Sequence, residues 1–103
     1  MTVHLKLGVD LHGCAPVVFD MIAKCHPVMS KYGEFWVTSA KDGTHKETSL
    51  HYQGKAIDIR TRHMKPHEVL EAAQDIKRAL GPGYDVVIEH APPHLHIEYD
   101  PKG

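Results

Sequence analysis

Three short stretches of this chain alternate apolar and polar residues with a period of two. In KAIDIR, Ile57 and Ile59 share one face and Ala56, Asp58 and Arg60 the other. In YDVVIE, Tyr84, Val86 and Ile88 stand against Asp85, Val87 and Glu89. In HLHIEY, Leu95, Ile97 and Tyr99 stand against His94, His96 and Glu98. Side chains of a strand point alternately to its two faces, so each stretch predicts a strand with one apolar side. If the apolar sides all meet helices, Asp58, Glu89 and His96 project together from the opposite surface of the sheet.

Helical spacing fills the intervals. Gly13 to Tyr32 reads as a helix, with Pro16 in its first turn and Val18, Ile22, Cys25 and Met29 at helical spacing. Pro27 is expected to kink or shorten its end, and Gly33 to stop it. Pro66 opens a second helix whose apolar face is Val69, Ala72, Ala73, Ile76 and Leu80, ended by Gly81. EFWVTS at 34–39 predicts a strand, and Val3 to Val9 alternates loosely enough for a strand or a lead-in. Residues 40–50 and the segment HAPP read as loops. Together these predict a single α+β domain spanning 1–103, a mostly antiparallel sheet with helices on one face.

Composition narrows the function classes. The 103 residues carry a net charge of −1 with the signs interspersed, so no basic stripe points to nucleic acid. No apolar run is long enough for a bilayer or a signal h-region, and a monomer outside the membrane is expected. Cys14 and Cys25, on one continuous helix, would lie about 16 Å apart along its axis. A disulfide needs Cα atoms within about 7 Å, so both are read as buried free thiols. The ten histidines are the outlier.

Position separates those histidines. His51 precedes Asp58 by seven residues with Gly54 between them to turn the chain, and His96 converges on the same face. Two imidazoles and a carboxylate make a ligand set for zinc, which in catalytic sites keeps three protein ligands and an open position for water. Ordinary readings exist for each residue: Asp58 as an exposed strand residue or partner of Arg60, His51 packed in its loop, Glu89 on the surface, and His94, His96 and Glu98 as a solvated strand face. His4, His12, His26, His63, His67 and His90 receive that reading by default. H-x-H also occurs in amidohydrolases, but on a large barrel that 103 residues cannot build.

SLHYQGKAIDI resembles the SxHxxGxAxD signature of the zinc D-Ala-D-Ala carboxypeptidases and related peptidoglycan peptidases, phage endolysins included. It is closer still to the matching stretch of the hedgehog signalling domain, which shares that fold and zinc site. WVTSAKDGTHKETS and YDVVIEHAPPHLHIEYD resemble the hedgehog pattern too, so the likeness covers roughly residues 35 to 100. It implies His51, Asp58 and His96 as zinc ligands and Glu89 as the acid/base, with Glu98 as the fallback. It implies His94 beside the metal and His45 near the site, where it could stabilise the oxyanion. The implied reaction is amide hydrolysis in bacterial cell-wall peptides, by a carboxypeptidase or a stem-peptide endopeptidase. The alternative is a catalytically silent zinc-containing module that binds peptidoglycan or protein.

The chain departs from the pattern in places. Lys41 stands where the bacterial peptidases usually carry an arginine. Pro92 and Pro93 lengthen the run before HLH. The acidic calcium cluster of hedgehog is only partly present in Asp42 and Glu47, so calcium is not implied. A carboxypeptidase needs a cation for the substrate carboxylate, for which Lys41, Arg60 and Arg62 are candidates. A small peptidase without a leader fits a phage or prophage product made in the cytoplasm and released to the wall.

Overall fold

The computed structural model describes residues 2–40 and 54–101. In chain order the elements are β1 (His4–Leu5), α1 (Pro16–Met29), a 3₁₀ turn (Ser30–Tyr32), β2 (Trp36–Ser39), β3 (Ala56–Arg60), α2 (Pro66–Leu80), β4 (Tyr84–His90) and β5 (Pro93–Tyr99). The strands form one sheet in the order β1-β2-β3-β5-β4. Three junctions are antiparallel and β1 runs parallel to β2, so the sheet is mixed. The α+β class holds.

One face of the sheet carries the core. Ile57, Ile59, Leu95, Ile97 and Val37 are fully buried against Met21, Cys25 and Met29 of α1 and Ala72 and Ile76 of α2. Cys14 and Cys25 are both free thiols. Burial pushes the Cys25 thiol up to about 12, so it stays protonated and behaves as a small apolar side chain. Cys14 precedes α1 and is half-buried, a correction to its expected place inside a helix and the core.

The element ends follow local chemistry. α1 begins at Pro16, not Gly13, because the residue before proline is driven to extended geometry, as Ala15 is. It runs through Pro27 and gives way to the 3₁₀ turn after Met29, where the proline has removed a hydrogen bond from the last turn. α2 matches its expected span. Its first turn is closed by Glu68 accepting the Lys65 backbone N–H at 2.8 Å. The expected HAPP loop is shorter than its four residues: β4 runs on through His90 and β5 starts at Pro93, leaving Ala91 and Pro92 as the turn. The lead-in at 3–9 contributes only His4–Leu5 as strand.

Gly54 ties β3 to the start of α1. Its carbonyl accepts the Ala15 N–H at 2.8 Å, and its φ is +69°. A Cβ there would lie 2.8 Å from Cys14 Cα and 3.0 Å from Ala15 N. Both neighbours are backbone and cannot swing away. Gly54→Ala is therefore expected to destabilise the protein by about 1–3 kcal/mol through left-handed strain, with steric overlap added. Chemical denaturation of the two proteins measures it, and equal midpoints would remove this contact from the account.

Candidate metal centre

The face turned away from the helices is built in rows. Asp58 lies opposite His96, and His96 opposite Val87. One row along, Arg60 lies opposite His94 and His94 opposite Glu89. One row the other way, Ala56, Glu98 and Asp85 are aligned. The apolar alternation on the core side sets this placement, because each buried isoleucine or leucine sends its chain neighbours to the open face.

Asp58 is the hub of the cluster. Its Oδ1 lies 3.0 Å from His96 Nδ1 and 3.8 Å from His94 Nε2. The other nitrogen of each ring is also engaged. His94 Nδ1 lies 2.7 Å from the Pro92 carbonyl, which accepts its proton and leaves Nε2 to face Asp58. His96 Nε2 lies 3.0 Å from Glu98 Oε1. With a carboxylate at both nitrogens the His96 ring can donate to both when it is protonated. Its pKa is raised above the usual imidazole range, chiefly by the hydrogen bond to Asp58. Burial opposes the shift, while the Asp58 charge and the Glu98 contact add to it.

Imidazole nitrogens and a carboxylate oxygen are donor types that zinc accepts. Four ligand atoms at about 2.0–2.2 Å in a tetrahedron stand about 3.3–3.6 Å apart. His96 Nδ1 and His94 Nε2 lie 3.0 and 3.8 Å from Asp58 Oδ1, but the three residues do not bring one ligand atom each within 4.8 Å of one another. A metal-ligating histidine ordinarily gives its second N–H to a carbonyl or carboxylate, and Pro92 and Glu98 stand there for His94 and His96. The cluster is nonetheless looser than a closed three-ligand cage. Among the described residues, only Asp85, Glu98 and Asp100 bring one ligand atom each within 4.8 Å of one another. That set is all oxygen, which suits hard cations better than zinc.

The expected residues divide into three groups. Asp58 and His96 meet, and His94 joins them with a ring nitrogen toward the same carboxylate. Glu89 shares their face but is exposed. From two strand spacings and one side-chain repeat, its Cα is about 12 Å from that of Asp58. Among the described residues it makes no side-chain hydrogen bond or ion pair. His51 and His45 lie outside the described residues, as do Lys41, Asp42 and Glu47. A cavity of about 280 Å³ opens beside Asp58 and His94, lined also by Lys6, Thr38, Ser39, Arg60 and Arg62. Lys6, Thr38 and Ser39 were not legible as site residues, because only strand pairing brings β1 and β2 alongside β3.

No protein-family model matches this chain, and no curated protein matches it. Among the described residues no helix is long and apolar enough to cross a membrane.

A raised His96 pKa has a stability consequence in the metal-free protein. The contribution is fully present below the unfolded value of about 6.5 and is lost as pH rises through the folded value. Proton NMR of the His96 ring is expected to titrate above the ordinary histidine range, and Asp58→Asn to bring it down. An unshifted His96 in the parent protein would refute the double-donor geometry.

Proposed function

We propose that this protein is a zinc-dependent metallopeptidase, a hydrolase acting on amide bonds in bacterial cell-wall peptides. The observation that carries this reading is the cross-strand meeting of Asp58 and His96, 38 residues apart in sequence, with Oδ1 and Nδ1 3.0 Å apart. It agrees with the SxHxxGxAxD resemblance, in which Asp58 and His96 are ligands and His51 completes the set. A zinc ion held there would polarise the scissile carbonyl and supply a water nucleophile at neutral pH.

The chain's own residues divide the remaining work. Glu98 accepts from His96 Nε2 and fixes that ring with Nδ1 toward Asp58. The Pro92 carbonyl does the same for His94, leaving Nε2 turned inward. Glu89 takes the proton of the attacking water and returns it to the leaving amine. Its position at the end of the His94 row requires the substrate to lie across β5 and β4 when it acts. His45 is the proposed oxyanion partner. The protein works as a monomer, without nucleic acid or membrane, on wall peptide reached after release from the cytoplasm, as for a phage-encoded product.

The exposed place of Glu89, without a bond to the Asp58 cluster, favours a second reading. In it the chain keeps the metal and binds wall peptide without turnover. Zinc-loaded protein incubated with peptides ending in D-alanyl-D-alanine and with muropeptide stems separates the two. The peptidase reading expects hydrolysis, lowered about 10²–10⁴-fold by Glu89→Ala with zinc content unchanged. Glu98→Ala is expected to lower zinc affinity instead, about 10–100-fold. Tight peptide binding with intact zinc and no turnover would establish the binding module. Loss of proton transfer with Glu98→Ala but not Glu89→Ala would reassign the acid/base.

A further inference from the structure

The sheet ends at β4. In the order β1-β2-β3-β5-β4 that strand has one neighbour, β5. Its backbone groups divide by parity. Tyr99 donates its N–H to the Lys55 carbonyl on the β3 side, whereas Asp100 donates to the Gly83 carbonyl on the β4 side. An antiparallel ladder continues that alternation. Asp85, Val87 and Glu89 therefore bond to β5, and the N–H and C=O groups of Val86 and Ile88 point away from the sheet. The Tyr84 carbonyl, which also points outward, accepts from Lys77 Nζ at 2.7 Å. Among the described residues no hydrogen bond reaches the outward groups of Val86 and Ile88.

The two sides of this edge differ in chemistry. On the open face stand Asp85, Val87 and Glu89, with Val87 42% exposed. Asp85 crowds Glu98 and Asp100, one oxygen of each lying within 4.8 Å of the others. Neither Asp85 nor Glu89 forms an ion pair among the described residues. On the core side a cavity of about 360 Å³ opens between the end of β4 and the start of α2. Met64, Val69 and Ile88 belong to its apolar lining, and Arg62 and Glu89 bring charges of opposite sign.

This pattern opposes one occupant and suits another. Paired over its whole length with β4 of a second copy, antiparallel, the strand would set Tyr84 opposite His90 and Asp85 opposite Glu89, once at each end. Like charges directly opposite are destabilising, and charges on an edge ordinarily serve to prevent self-pairing. A strand with cations at those two places and aliphatic side chains toward the cavity matches both sides.

We propose that the β4 edge takes up an extended segment of a partner protein as an added antiparallel strand, with basic residues opposite Asp85 and Glu89 and aliphatic residues opposite Val86 and Ile88. Main-chain bonds to Val86 and Ile88 hold the segment, and its alternate side chains select it. The aliphatic ones fall on the face of Val86 and Ile88, toward the cavity. The inference needs neither a metal nor turnover, and goes beyond the peptidase reading. Glu89 is common to both, so the variants that test the edge are placed elsewhere.

The test titrates the whole chain, without added metal, with acetyl-Lys-Ile-Thr-Val-Lys-amide and follows the backbone amides by NMR. The peptide is expected to shift the Val86 and Ile88 amides and to slow their hydrogen exchange. Methylating its Ile and Val nitrogens removes the two donors aimed at β4 and is expected to weaken binding about tenfold, while methylating the Thr nitrogen, which faces away, changes it by no more than about twofold. Replacing both lysines by glutamate is expected to abolish binding, and added salt to weaken it. Val86→Pro removes one outward N–H without touching the bonds to β5, and is expected to weaken binding about fivefold. Asp85→Asn is expected to weaken it about threefold. If Val86→Pro does not fold, the methylated peptides decide, because they leave the protein unaltered. Absence of binding, equal binding of the glutamate peptide, or binding that ignores methylation at Ile and Val overturns the proposal. So does binding that leaves Val86 and Ile88 exchanging as before. Concentration-dependent dimerisation that protects the same amides assigns the edge to a second copy and overturns it as well.

Discussion

The pairing of β3 with β5 is the constraint on which the rest of this structure depends. Ile57 meets Ile97 and Ile59 meets Leu95 on the buried side. The same register sets Asp58 against His96 and Arg60 against His94 on the open side. A slip of β5 by one residue would turn the fully buried Leu95 and Ile97 to water and drive His94 and His96 toward the core. Core packing thus specifies the geometry of the polar cluster. The arrangement is held by the hydrophobic effect, and the charges on it need not be stabilising in themselves.

That division of labour explains the state of the cluster. Two carboxylates, Asp58 and Glu98, face one imidazole from its two sides. They raise the pKa of His96, favouring a proton there that offsets their charge. A divalent cation bonded at Nδ1 would take over that role from the proton, so metal affinity and protonation of His96 compete. The raised pKa and the candidate metal site express the same excess of negative charge.

The sheet faces and α2 were legible because their signals are local. KAIDIR, YDVVIE and HLHIEY each carry their own period of two, and VLEAAQDIKRAL its own helical period. The ends of α1 were less so: the reach of Pro27 depends on how well α1 packs, which no short window contains. The HAPP turn was read too long because β-pairing extends to His90 and Pro93, and one alternation cannot show its partner. The parallel β1 strand and the stacking of His4 and Arg60 on the Trp36 ring were hidden for a stronger reason. His4 is 32 residues from Trp36, and Trp36 is 24 from Arg60, with α1 in the first interval. A bulge between Val37 and Ser39 also shifts the register where β2 meets Asp58. The meeting of Asp58 with His96 was inferred from alternation plus resemblance. The part assigned to His51 and His45 lies outside the described residues.

His94 and His96 share a face, and both turn a nitrogen toward Asp58, so the choice between them as ligand turns on what stands behind each ring. Behind His96 is a carboxylate, and behind His94 a backbone carbonyl. A carboxylate makes the ring the stronger base and the better donor to a cation, at the expense of holding a proton more firmly in its absence. The carbonyl of Pro92 has no such charge, and fixes only the tautomer and the direction of His94. In the proposed site His96 is thus the better-supported ligand of the two, and His94 turns Nε2 toward Asp58 at the edge of the cavity. There Arg60 waits in the same row. The order of these residues along the face, His96 then His94 then Arg60, gives the open surface a direction.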